Sequence, residues 1–334
     1  MPSVKQIFVT GSSRSGTTML SRILNQHSKI ISVQELHFFN SIYKDSKSKL
    51  GKKQAEYLLS KLLTINSEGL FVKSSHLNDL KAKEILNQYN RLNSIDILKL
   101  FFQEILSKNN SNMICEHTPS NIFYIDEIFN LLPNSFILNM IRDPRDVMLS
   151  QKFKWKRRYL GAKKIPIYEA IRSYINYHPF LIAWFWNSSI IHYNKYEDHK
   201  AVILIHFEKL LQNPEEILNN ICKKLNIYFS NDMLKIPNIG SSTSSDTTSI
   251  GFDTSKIGRW ESSDLNSAEI YICQLICGSQ MKKYGYKRKK FILPPLLLLF
   301  YIFSFPFYLF IAFMMNFKRS ANIFRSIRKR LFIK

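Results

Sequence analysis

Short apolar runs alternate with longer mixed stretches over most of this chain. Ile7–Val9 is apolar and ends at Thr10-Gly11. Ile30–Val33 is a second short run, Ile114-Cys115 leads to Glu116-His117, Phe136–Ile141 leads to Arg142, and Ile203–Ile205 leads to His206. Runs this short, apolar on both faces, predict buried parallel strands. Between and after them the pattern predicts helices at Thr17–Gln26, Asp79–Gln88, Ile95–Ser107, Asn121–Leu132, Pro144–Lys156, Ile167–Tyr193, Glu215–Leu225 and Asn266–Tyr284. Strands alternating with helices imply an α/β fold, a parallel sheet flanked by helices. Its ligands then gather at the carboxyl ends of the strands. Ile239–Asp253 is rich in Ser, Thr and Gly and reads as a flexible loop.

The last seventh of the chain breaks this pattern. Ile292–Phe317 runs twenty-six residues without a charge, and about twenty suffice to cross a bilayer. Lys287-Arg288-Lys289-Lys290 precede it and Lys318-Arg319 follow it, and positive flanks favour the cytosolic side. Pro306 divides the run into arms of roughly 15 Å each as helix. This favours a re-entrant hairpin with both ends cytosolic, a kinked single span being the alternative. Beyond it, Ile323, Ile327 and Leu331, with Phe324, line one face of a basic helix suited to anionic lipid heads. The division expected is a catalytic domain over 1–286 and a basic, apolar membrane-anchoring tail over 287–334.

Charge sharpens that division. The 334 residues carry a formal charge of +22. Thirteen Lys and Arg and no carboxylate lie in 282–334, so the body alone is near +9. A mildly basic body fits a polyanionic ligand. The tail sits beside an apolar segment, which makes membrane lipids, rather than nucleic acid, its expected partner. Cys115, Cys222, Cys273 and Cys277 have no metal-ligand spacing and read as small buried hydrophobes in a reducing compartment. The first strand begins within ten residues of Met1, which leaves no room for a secretory signal. A membrane-associated protein with a cytosolic catalytic domain is expected.

The first strand runs into V-T-G-S-S-R-S-G-T-T-M. Glycines at 11 and 16 give the frame of a phosphate-cradling loop, whose turn aims the first helical N–H groups at an anion. The Lys that handles γ-phosphate in nucleotide triphosphatases is absent, with Thr17 in its place, and Arg14 is the loop's cation. Such a loop suits an anion held by backbone N–H, hydroxyls and one guanidinium, without metal. A second cation at a strand end, Arg142, is followed eight residues later by Ser150, about two turns into the next helix. A cation and a hydroxyl converging there suit a second phosphate.

R-S-G-T-T resembles the 5′-phosphosulfate loop of sulfotransferases that use 3′-phosphoadenosine-5′-phosphosulfate (PAPS). R-D-P-R-D-V-M-L-S, from Arg142 to Ser150, is similar to that family's 3′-phosphate motif. Glu116-His117-Thr118-Pro119, Ile203–Leu210 with Asn213-Pro214-Glu215, and Gly251–Trp260 ending I-G-R-W resemble three further segments, the last a loop that closes over the nucleotide. The resemblance covers about residues 5–285 and lies near the bacterial and tyrosylprotein-type branches. It implies PAPS as donor, no metal, and cofactor contacts from Ser13, Arg14, Ser15, Gly16, Thr17, Thr18, Arg142, Ser150, Lys256 and Gly258. It implies a hydroxyl-bearing acceptor: glycan, lipid or protein tyrosine. Two residues compete for the base. Glu35 matches the base of the tyrosylprotein-type branch, and His117 matches that of the cytosolic branch. Glu35 is favoured, with His117 donating to the transferring sulfonate and Arg14 stabilising the leaving phosphate. An ATP-dependent kinase of another P-loop class and a catalytically inert nucleotide-binding membrane scaffold are the rival functions.

Overall fold

The computed structural model describes residues 4–43, 45, 48–73, 75–160, 162, 165–237, 250–262, 264–290, 294–317 and 328–330. Five parallel strands form one sheet: β1 Lys5–Gly11, β2 Ile30–Ser32, β3 Met113–Glu116, β4 Ser135–Ile141 and β5 Val202–His206. Their order is β2-β3-β1-β4-β5. All five expected runs are strands, and β1 and β4 are buried on both faces, which is why their central residues, Ile7–Val9 and Phe136–Leu138, are continuously apolar.

Helices cover both faces. They are α1 Thr17–Leu24, α2 Phe38–Ser41, α3 Lys52–Glu68, α4 His76–Leu86, α5 Ser94–Asn109, α6 Ile125–Leu131 and α7 Pro144–Lys152. After these come α8 Ile167–Ile175, α9 Pro179–Asn194, α10 Phe207–Gln212, α11 Pro214–Leu225, α12 Ser267–Lys283 and α13 Pro295–Asn316. Ile7, Val9, Leu138 and Met140 pack with α1, α10 and α11, whereas Phe8, Ile114 and Ile137 pack with α3 and α5. The chain leaves β1 toward β2 and leaves β4 toward β5. A crevice therefore opens between the carboxyl ends of β1 and β4, the usual ligand position in such sheets.

Several boundaries differ from the sequence pattern. Ile167–Tyr193 is not one helix: it breaks at Asn176–His178, because Pro179 disfavours helical geometry in the residue before it and starts α9. Pro144–Lys156 ends as α7 at Lys152 and continues as a tighter turn, Lys154–Arg158. α3 has no counterpart among the expected elements.

The apolar segment is one continuous helix, α13, with Pro306 inside it. The expected hairpin is not formed. Proline removes one backbone donor and kinks a helix, but a reversal also needs residues that favour a tight turn. Phe305 and Phe307 flank Pro306 and offer none. The serine-rich loop lies mostly outside the described residues, and so does the basic helix around Ile323–Leu331, apart from Arg328–Arg330.

Candidate active site

The loop between β1 and α1 is shaped by what cannot fit there. Gly11 has φ of 141°, and a Cβ on it would sit 2.4 Å from the Met140 carbonyl oxygen in β4. Gly16 has φ of 101°, and a Cβ there would meet the Phe207 ring at 2.6 Å. Arg14 itself takes φ of 77°, a conformation that costs a non-glycine residue roughly 1–3 kcal/mol. The Ser15 N–H and hydroxyl both donate to the Ser12 carbonyl, at 3.2 and 2.6 Å. Ser15 therefore ties the turn together instead of aiming its hydroxyl outward. Thr17 and Thr18 open α1, whose N-terminus has no side-chain cap and no carboxylate in its first turn. Its first N–H groups are left for an anion.

A Gly11→Ala variant should lose the loop, since the clash is with main chain in the central sheet and cannot be relieved by a rotamer. We expect a lowered melting temperature and loss of nucleotide binding. An unchanged thermal melt would show that the loop does not hold this geometry.

The expected phosphate residues converge. Arg14 Nε donates to Ser150 Oγ at 2.9 Å, across 136 residues of sequence. Arg142 Nη2 donates to the Lys256 carbonyl at 2.8 Å, and its guanidinium lies 4.3 Å over the Phe207 ring. Asp146, one turn beyond Arg142, accepts from the Gly258 and Trp260 N–H groups at 2.9 and 3.0 Å. The late loop is thereby pinned against the 3′-phosphate motif. Asp143 caps α7 and pairs with Arg145, which stacks 3.7 Å over Trp260. Each charged residue of R-D-P-R-D thus has a distinct task, and only Arg142 keeps a buried nitrogen, Nε, without a partner among the described residues. Ser13 is exposed at the loop tip, and its carbonyl accepts from Gln151 at 3.4 Å.

Cations crowd this crevice. Burial, then Arg157 and Arg142, push Arg14 down to about 9, while Glu35 opposes that shift. Burial, then Arg14 and Arg172, push Lys154 down to about 8. Burial also lowers Arg142 and Arg157. Positive groups held this close are relieved by an anion placed among them. Lys154 and Arg157 were not among the expected residues. Their sequence signal, the basic run K-W-K-R-R after α7, is the same one a solvated surface gives.

Glu35 is half-buried after β2, with Oε2 3.5 Å from His37 Nε2. Its charge acts on Arg14, Lys154, Arg157 and His117. The Glu35 loop is laced to the end of β3. Leu36 N–H donates to Glu116 Oε1 at 3.0 Å, and His37 N–H donates to Thr118 Oγ1 at 3.1 Å. Glu116 also accepts from the Thr118 N–H and hydroxyl and from Asn121. Burial pushes its carboxyl up to about 7. This carboxylate, part of the strand-end segment but given no role from the sequence, positions the backbone after Glu35. His117 is buried, bonded through Nδ1 to Ser21 Oγ at 3.1 Å and held by the main chain of Val33. Burial keeps its imidazole below the usual histidine range.

A sequence model of the sulfotransferase family matches residues 6–231. The chain belongs to the sulfotransferase family. A Caenorhabditis briggsae protein named "Putative protein-tyrosine sulfotransferase" is 24% identical over 230 residues, which cover 68% of each chain. Among solved structures, the sulfotransferase domain from the curacin biosynthetic pathway aligns at a TM-score of 0.52 and 18% identity. That alignment covers 86% of this chain and 99% of the other. The sulfotransferase domain of the Synechococcus PCC 7002 olefin synthase aligns at 0.50 and 17%, covering 87% and 95%. These likenesses establish the fold as that of a sulfotransferase.

Proposed function

We propose that this sulfotransferase moves a sulfonate from PAPS to a hydroxyl of a membrane-borne acceptor, a lipid head or lipid-linked glycan. The observation that carries the cofactor assignment is the union of Arg14 with Ser150, beside Arg142, at the uncapped N-terminus of α1. The residues present fit a doubly phosphorylated nucleotide. Arg142 Nε and Ser12 Oγ are buried polar atoms without partners among the described residues, and such atoms call for a ligand. Bound PAPS supplies an activated sulfonate whose leaving group is its 5′-phosphate.

The chain's own residues do the rest. Arg14, Thr17, Thr18 and the first N–H groups of α1 hold the 5′ end and stabilise charge that builds there. Arg142 and Ser150 hold the 3′-phosphate, and Lys256 and Gly258 close the late loop over the nucleotide. Glu35 accepts the acceptor's hydroxyl proton. His117, held through Nδ1 to Ser21, donates to the transferring sulfonate.

The kinase alternative lacks the loop lysine, with Thr17 in its place. Binding of 3′-phosphoadenosine 5′-phosphate without Mg²⁺, and weaker binding of ATP, is the expected result. ATP binding that is tighter and needs Mg²⁺ would overturn the assignment. Transfer of labelled sulfonate to extracted lipids, glycolipids or tyrosine peptides identifies the acceptor, and absence of any turnover would leave a nucleotide-binding scaffold.

The membrane half of the reading rests on α13, whose 22 residues are long and apolar enough to cross a bilayer. Deleting residues from Phe291 onward should leave a folded domain that binds PAPS, because every motif described lies before it. The deletion keeps Lys289, whose N–H and carbonyl bond to Gln274 of α12. Flotation with vesicles should be lost and turnover on a soluble acceptor retained. A truncated chain that still floats would place the membrane contact elsewhere.

A further inference from the structure

α13 is fastened to the rest of the chain along most of its length. Near its start, Tyr301 Oη accepts from Asn266 Nδ2 at 3.0 Å. In its middle, Ser304 Oγ lies 3.3 Å from His178 Nε2, and the His178 ring meets Phe305 and Tyr308 at 5.3 and 5.2 Å. At its end, Tyr168 Oη donates to the Met315 carbonyl at 3.1 Å. There Arg172 Nη1 donates to Asn316 Oδ1 at 2.7 Å, and Asn316 Nδ2 donates to Asn176 Oδ1 at 3.1 Å. From Tyr301 to Asn316 this is about 22 Å of helix. Its half-buried residues, Leu297, Leu298, Tyr301, Ser304, Phe305, Tyr308, Ala312, Met315 and Asn316, form one stripe at helical spacing, with Phe313 to one side of it. The opposite stripe, Phe300, Phe303, Phe307, Phe310, Met314 and Phe317, is exposed throughout.

A helix so attached cannot stand across a bilayer by itself. To cross, it would carry the Arg172–Glu169 ion pair, Asn176, His178 and Asn266 into hydrocarbon with it. Ionised and polar groups at that depth are costly. The chain beyond α13 also returns to the domain. Lys329 pairs with Glu127 and donates to the Phe123 carbonyl at 3.2 Å, and Ser188 Oγ donates to the Arg330 carbonyl. Both flanks of α13 therefore touch the same body.

The exposed apolar surface continues beyond α13. Beside its end, α8 presents Ile167, Tyr168, Ile171 and Tyr174, each at least half exposed. The Trp155 ring lies 5.8 Å from that of Tyr174. Trp155 belongs to the turn that carries Lys154 and Arg157, the cations that feel Glu35. The surface thus runs from α13 through α8 to the rim of the crevice.

Taking the membrane reading above as given, we propose that α13 lies in the plane of one anionic leaflet without crossing it, with the outward face of α8 beside it. The mouth of the active site then sits at headgroup level, where a lipid-borne hydroxyl can enter from the leaflet. The occupant is a lipid surface: the face is apolar, and the exposed run Lys287–Lys290 precedes α13 and Lys318-Arg319 follow it in the sequence, the combination that binds interfacial helices to anionic lipid.

The test uses the full chain on phosphatidylcholine–phosphatidylserine vesicles. A nitroxide or fluorophore is attached in turn to three outward positions, through Phe300→Cys, Phe307→Cys and Met314→Cys, and its depth is read by quenching. Equal, shallow depths at all three, with both termini open to protease on the same side, are expected. A steady depth gradient with termini on opposite sides would overturn the proposal and leave membrane association intact. A maximum at position 307 would overturn it in favour of a hairpin. Failure to bind vesicles at all would sink the membrane reading on which it rests. A second variant tests α8: Ile167→Glu with Ile171→Glu should lower vesicle partitioning roughly tenfold and leave turnover on a soluble acceptor unchanged. Wild-type partitioning in that variant, or a lipid-free dimer that hides α13, would overturn the shared face.

Discussion

Glu35→Gln should bind 3′-phosphoadenosine 5′-phosphate as the native chain does and lose most turnover, about 10²- to 10⁴-fold, the range general-base catalysis supplies. The substitution keeps the shape of the side chain and removes its ability to take a proton. Because Leu36 and His37 are anchored through their N–H groups to Glu116 and Thr118, the loop should not move when the carboxylate becomes an amide. The loss should therefore fall on kcat with KM for the donor unchanged, the signature of an interaction made in the transition state. His117→Ala is the comparison. Its ring is committed to Ser21 and the main chain of Val33, so its removal should cost stability and less turnover than Glu35→Gln. The reverse ranking would move the base to His117.

The second large effect is on donor affinity. Arg14→Ala and Arg142→Ala should each weaken 3′-phosphoadenosine 5′-phosphate about tenfold to hundredfold, since a hydrogen bond to a charged group is worth roughly 1.5–3 kcal/mol. Ser150→Ala should cost less, because Arg14 loses a 2.9 Å partner but keeps its charge in place. The crowding of cations sets the direction of the pH effect. Burial and neighbouring positive groups lower Lys154 to about 8 and Arg14 to about 9. Both are charged below those values and lose protons above them, so affinity should decline as pH rises through 8 to 9. Calorimetric titration across pH 6.5–9.5 reads both effects, with the range chosen about these two values. Native affinity in both arginine variants would remove the nucleotide from this crevice.

The phosphate ligands were legible along the chain because their geometry is local. A strand end followed by a glycine-framed turn and a helix start is specified within eleven residues, Val9 to Met19. Arg142 to Ser150 is likewise one strand end and two helical turns. Parallel strands buried on both faces have to be continuously apolar, so the sheet was legible too. Arg14 meeting Ser150, by contrast, depends on β1 lying beside β4.

Side chains with ordinary local signatures were not legible. Glu116 reads only as part of a strand-end segment, with no role of its own, until β3 brings it beneath the Glu35 loop. Lys154 and Arg157 read as a solvated basic run until that turn is seen to face the crevice.

The same division governs the tail. Composition alone determined that Ile292–Phe317 is a charge-free stretch long and apolar enough to cross a bilayer, and that its flanks are basic. Whether such a segment turns back, crosses or lies flat is decided by what its polar atoms can reach. Only the folded chain brings Asn266, His178 and Arg172 alongside Tyr301, Ser304 and Asn316, and those bonds, spread along one stripe of the helix, hold it against the domain.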